Sequence, residues 1–157
     1  MSIDPGSKTR RRQKSARARI GVVVSRYHGA ITDVMLASAL TELRSAGILE
    51  VRMAPAPGVF EIPLIARELA RRKDIDAVLC FGLVLRGETT HDHWVAHGAV
   101  TGLVQASLET GKPLALGILT CAKLSQAKAR AKPKGREVAR AALDALEALR
   151  ALRRTKP

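Results

Sequence analysis

A chain of 157 residues, 46% of them apolar, is long enough for one domain with a real core, and with two Phe, one Trp and one Tyr that core has to come from Ala, Leu, Val and Ile. Two cysteines do not make a disulfide scaffold, and no apolar run approaches the ~20 residues of a membrane span. The net charge of +13 sits at the ends: residues 1–19 carry +6, residues 123–157 carry +8, and the body between them is near neutral at −1, which argues against a fold that is itself a nucleic-acid platform but leaves basic tails as candidate contacts for RNA, DNA or another polyanion.

Met1 to Arg19 is polar and basic without periodicity and reads as a disordered tail, either a polyanion-binding arm or a solubilising extension. No apolar stretch follows its charges, so it is not a secretory signal; a cytoplasmic protein with Cys80 and Cys121 as reduced thiols is expected. Ile20 to Val24 is a short β-branched strand, followed by the loop Ser25–Gly29. Ile31 to Ala46 reads as a helix on the stripe Val34, Leu36, Ala37, Leu40 and Leu43, with Gly47 in the C-cap position. Val51 to Ala54 is a second strand ended by Pro55 and Pro57, and the loop Pro57–Pro63 opens a helix from Ile62 to Arg72, where Pro63 suits the first turn. Ala77 to Leu85 has the length and continuous apolarity of a strand covered on both faces. Arg86-Gly87 breaks it, and Thr89 and Thr90 supply N-cap chemistry for a long helix from about Thr90 to Glu109. Gly111-Lys112-Pro113 ends that helix and Leu114 to Thr120 is the fourth strand. Leu124 to Ala131 then reads as a short helix, Pro133-Lys134-Gly135 as a turn, and Glu137 to Leu152 as the final helix, with 153–157 a frayed basic end.

Strands alternating with helices imply a parallel sheet joined by right-handed crossovers. The fold expected for residues 20–152 is a three-layer α/β/α sandwich around a central four-stranded parallel sheet, a flavodoxin-like arrangement. Ligands in such folds bind beyond the carboxyl ends of the strands. One site is therefore expected from four loops: Arg26–His28, Pro57–Glu61, Arg86–His91 and the segment from Thr120 onward.

His91 stands at the helix start after the central strand. It is either a cap or surface histidine, or a group that moves protons near neutral pH beside an anion site of free backbone N–H groups. Glu61 is either a dipole partner for its helix or an acceptor for substrate hydroxyls and amides. Tyr27 and Phe60 fall on site loops, where a flat ring could stack on them, or they simply pack. Arg130 is a phosphate clamp or one more cation of the basic C-terminal segment. His93 and His97 share a helix face at i, i+4, but no third ligand has convincing spacing, so no metal is expected. No dinucleotide fingerprint or P-loop is present. No lysine lies in a predicted buried strand, so if imine chemistry occurs the amine comes from substrate.

Pro-Gly-Val-Phe-Glu-Ile-Pro at 57–63, followed by Gly-Leu-Val-Leu-Arg-Gly-Glu-Thr-Thr-His at 82–91, resembles the lumazine synthase family of riboflavin biosynthesis. Ser-Arg-Tyr at 25–27, Ser-Leu-Glu-Thr-Gly at 107–111 and Gln-Ala-x-x-Arg at 126–130 extend the likeness from about Ile20 to Leu152. The resemblance implies a transferase that joins 5-amino-6-ribitylaminouracil to 3,4-dihydroxy-2-butanone 4-phosphate, giving 6,7-dimethyl-8-ribityllumazine without metal or organic cofactor. By the same resemblance Tyr27 stacks on the pyrimidine. Val59, Phe60 and Glu61 hold the ribityl chain and ring, and Leu83, Val84 and Leu85 contact the pyrimidine. Glu88 and Thr89 bind phosphate through backbone N–H groups, and His91 transfers protons. Leu116 and Arg130 match a pocket residue and a phosphate arginine that come from the neighbouring subunit, so the resemblance implies a homo-oligomer, a pentamer or a multiple of it. It also admits riboflavin synthase as a partner. The chain departs from the family's pattern at Asp92 and His93, at His97-Gly98 where Asn-Glu is usual, and in the short segment Lys132–Gly135.

Overall fold

A computed structural model describes residues 18–155. Four strands, β1 (Ile20–Ser25), β2 (Val51–Ala56), β3 (Ala77–Leu85) and β4 (Leu114–Cys121), alternate with four helices, α1 (Gly29–Ser45), α2 (Ile62–Arg71), α3 (His91–Thr110) and α4 (Leu124–Arg154). The strands form one parallel sheet in the order β2-β1-β3-β4. Alternation along β3 splits the core in two. Ala77, Leu79, Phe81 and Leu83 pack with Ile20 and Val22 against α1 and α4, while Val78, Cys80 and Val84 pack with Val23 and Ile118 against α2 and α3. The molecule is thus the three-layer α/β/α sandwich expected. Gly47 ends α1 as expected, at φ 88°: its N–H donates to Arg44 O and that of Ile48 to Leu43 O, both at 2.9 Å.

Several boundaries differ from the sequence reading, each for a physical reason. β2 does not stop at Ala54 but continues through Pro55 to Ala56. Arg26 N–H donates to Ala56 O, so residues 52, 54 and 56 face β1, and Pro55 turns its missing donor outward on an edge strand. At the start of α3, Thr90 makes no side-chain cap bond; Thr89 Oγ1 accepts from His91 N–H at 3.3 Å instead.

The largest correction is at the C-terminus, where the expected short helix, turn and final helix are one helix, α4. Pro133 stands exposed inside it. The buried stripe Ala127, Ala131, Val138, Ala142 and Leu146 runs through without interruption, and Ser38 Oγ donates to Lys132 O at 2.6 Å. Gly135 marks close approach rather than a turn, because a Cβ there would overlap the Met35 carbonyl oxygen. Tertiary packing overrides the local breaker signal. Arg130 accordingly lies mid-helix, not in a last turn. The helix passes Leu152 to end at Arg154, and Arg153 donates to Gly111 O at 2.6 Å. The expectations for residues 1–17 and 156–157 lie outside the described residues; Arg19, assigned to the basic tail, is bound to Asp76.

Candidate functional site

The site is built at the carboxyl end of the sheet from the loops after β1, β2 and β3. The first two are tied together, since Arg26 N–H donates to Ala56 O at 2.8 Å and Tyr27 N–H to Pro57 O at 3.3 Å. Two fully buried hydroxyls anchor them: Thr32 Oγ1 donates to Ser25 O at 3.0 Å, and Ser25 Oγ to Tyr27 O at 3.4 Å. His28 sits in the left-handed region, φ 61°, and turns the chain from strand into α1; its ring meets Tyr27 edge-on at 4.5 Å between centroids. In the second loop Glu61 Oε2 accepts from Gly58 N–H at 3.0 Å, closing the turn that presents Val59 and Phe60. Gly82 in β3 makes this possible, because a Cβ there would lie 2.7 Å from Val59 Cγ2 and 3.1 Å from Ile62 Cδ1.

Between these loops lies a cavity of about 510 Å³ lined by Tyr27, Val59, Phe60, Glu61, Leu83, Val84, Leu85, Thr89 and His91 among the residues singled out from sequence, with His28, Gly58, Gly87, Asp92 and Val95 in addition. Tyr27 and Phe60 are 69% and 63% exposed, rings held out over the opening rather than spent on the core. Leu83 and Val84 supply a buried apolar floor. His91, exposed, opens α3 at the rim, where the first turn of a helix leaves N–H groups for an anion.

The fourth loop does not join this cavity. Thr120, Cys121 and Ala122 line an adjoining one of about 620 Å³ together with Arg86 and Glu88, and the two share a wall of Val84, Gly87, Thr89 and Asp92. Glu88 thus faces the second cavity, and Leu116 and Arg130 line neither. Leu116 is 41% exposed on β4 and Arg130 is exposed on α4, so both offer themselves outward. His28, Gly58 and Gly87 fall within the expected loops Arg26–His28, Pro57–Glu61 and Arg86–His91, whereas Val95 lies outside them and carried no signal. Asp92 did, as the acid in the first turn of α3, and its Oδ1 accepts from Gly87 N–H at 3.5 Å.

His93 and His97 do share the outer face of α3, their rings stacked at 6.1 Å with Trp94 beside them. Among the described residues no group of three or more His, Cys, Asp or Glu is placed to hold a metal ion. Nor is any helix of the described residues long and apolar enough to cross a membrane.

A family model described as 6,7-dimethyl-8-ribityllumazine synthase matches residues 17–150. The chain belongs to this family. Among curated lumazine synthases it is 42% identical to that of Thermus thermophilus over 85% of this chain and 87% of the relative. It is 40% identical to lumazine synthase 1 of Caulobacter vibrioides over 86% and 92%, and 43% identical to that of Salinibacter ruber over 80% and 85%. The shared lumazine synthase region spans all three loops of the first cavity and both exposed residues outside it, Leu116 and Arg130.

Proposed function

We propose that this protein is a lumazine synthase, a transferase that condenses 5-amino-6-(D-ribitylamino)uracil with 3,4-dihydroxy-2-butanone 4-phosphate to 6,7-dimethyl-8-ribityllumazine. The observation that carries the reading is the meeting, in one cavity, of two exposed aromatic rings, an apolar floor and a histidine at a helix start. The pyrimidine lies over Leu83, Val84 and Leu85 against Tyr27, and Val59, Phe60 and Glu61 hold the ribityl chain and ring. The phosphate sits at the N–H groups of Glu88 and Thr89, and His91 carries protons between substrate and water. The nucleophile is the substrate's own amine; no strand of the sheet contains a lysine that would compete with it. The work of the protein is then mostly to hold two reactants in register, with acid–base help from His91 contributing ~10²-fold.

Leu116 and Arg130 belong to this reading as residues given to the cavity of an adjoining copy, Arg130 pairing with the phosphate and Leu116 closing the apolar wall. Their exposure, and their distance from the cavity of their own chain, support a homo-oligomer, a pentamer or a multiple of it. The reaction needs no metal or organic cofactor and belongs in the cytoplasm. Riboflavin synthase, which consumes the product, is a partner this reading admits, and the basic ends are available to nucleic acid.

Purified protein mixed with the two substrates should form the fluorescent lumazine above the spontaneous background, and a chelator should not slow it. His91→Ala should slow turnover about 10²-fold without abolishing it. Arg130→Ala should raise KM for the phosphorylated substrate more than for the uracil. No product from a folded oligomer overturns the reading.

A further inference from the structure

Gly98 lies on α3 beneath the ring of Phe60: a Cβ built there falls 3.1 Å from Phe60 Cε2 and 3.6 Å from Cδ2. One turn further along the same face, a Cβ at Gly102 falls 2.8 Å from Pro63 Cβ and 3.0 Å from its Cγ. Neither glycine is at positive φ, so close approach and not backbone freedom is what the missing side chains provide. Together they leave a flat notch on α3 into which the segment Phe60–Pro63 settles.

The two contacts differ in consequence. Pro63 is a rigid ring in the first turn of α2, so Gly102 fixes how closely two helices pack. Phe60 is 63% exposed and lines the cavity, and the face of α3 at Gly98 backs its ring. A side chain at position 98 would therefore press on an aromatic wall of the cavity. We propose that Gly98 is a positioning residue for ring recognition: by leaving Phe60 room against α3, it sets the width of the slot that admits the flat ring substrate. The proposal rests on reading Phe60 as a wall for the ribitylaminouracil.

The contact at 3.1 Å leaves no room for a methyl without the ring giving way by a few tenths of an ångström, and a longer side chain displaces it further. Gly98→Ala should raise KM for the uracil about threefold and Gly98→Leu about tenfold or more, because overpacking relieved by moving the wall is taken out of ring binding, tenfold for each ~1.4 kcal/mol. KM for the phosphorylated substrate and kcat should hold. The affinity for the lumazine product, read from its own fluorescence, should weaken in parallel with the uracil KM. In a Phe60→Ala background neither Gly98 variant should have a further effect.

A parallel rise of both KM values, or an effect that persists without Phe60, overturns the proposal. So does unchanged ring affinity in both Gly98 variants beside a weakened Phe60→Ala, which leaves the role of Phe60 standing. Phe60→Ala that leaves ring affinity untouched overturns the proposal together with that role. If the wild type forms no lumazine, the product-affinity series still decides. Weakening in the Gly98 variants that vanishes without Phe60 upholds the positioning role while the activity reading falls.

Discussion

Asp76 accepts from the Arg19 N–H at 2.8 Å and from its guanidinium at 2.8 and 3.0 Å, and lies 3.3 Å from the guanidinium of Arg150. Burial pushes its carboxyl up, but the bonds to Arg19 and the charge of Arg150 outweigh this and hold it below the ordinary carboxylate value. A depressed pKa in the folded state contributes stability that is present above the unfolded value, about 4, and lost as pH falls through the folded one. Asp76→Asn should therefore lower Tm at pH 7, and the gap to wild type should narrow progressively as pH falls below about 4; a gap that does not shrink on acidification would contradict this. The partner was not readable from sequence. Arg19 was taken for the end of a basic tail because its acid lies 57 residues away, across two crossovers. The cavity-lining residues of the three loops were readable, because a glycine turn or a proline beside a strand end places them at the carboxyl edge whatever the details. His28 was readable as part of the loop after β1 but not as its left-handed residue, since that need is set by the meeting of two loops in space.

At the level of helices, α4 is the element that local sequence misrepresents. Pro133 and Gly135 look like a turn, yet the stripe from Ala127 to Leu146 packs on α1 without a break, and the Arg140–Glu42 bond at 2.7 Å ties the same two helices. Opposite signs follow for the two supposed breakers. Gly135→Ala drives a methyl into the Met35 carbonyl oxygen and should destabilise by about 1–3 kcal/mol or more, seen as a lower urea midpoint at constant m. Pro133→Ala restores an N–H toward the Ala129 carbonyl on an exposed face and should stabilise, by up to ~3 kcal/mol. If both substitutions destabilise, the single helix is the wrong account of this segment. β3 was legible to the residue, and β1 and β4 to within one, for the converse reason: β3, buried on both faces, is one apolar run, and nothing in its neighbours could move its ends.

Across the whole molecule, alternation of strands and helices was enough to give the parallel sheet and its two covered faces. It could not say whether one copy contributes to the cavity of another, because Arg130 and Leu116 look outward and nothing in the order of a single chain says toward what. If each cavity is completed by an adjoining copy, chains carrying His91→Ala and chains carrying Arg130→Ala should regain activity when unfolded and refolded together, beyond the mean of the two separately refolded variants. Turnover of the mixture at that mean would mean that each chain works alone.

Pro55 has a consequence outside catalysis. On the side of β2 away from β1, unpaired among the described residues, an arriving extended chain finds amide donors at Val51 and Met53 and then none, because the next outward position is the proline. A foreign strand that starts to add there runs out of ladder within three residues. During synthesis, when neighbouring chains are crowded and half-folded, this edge of the sheet thus carries its own terminator.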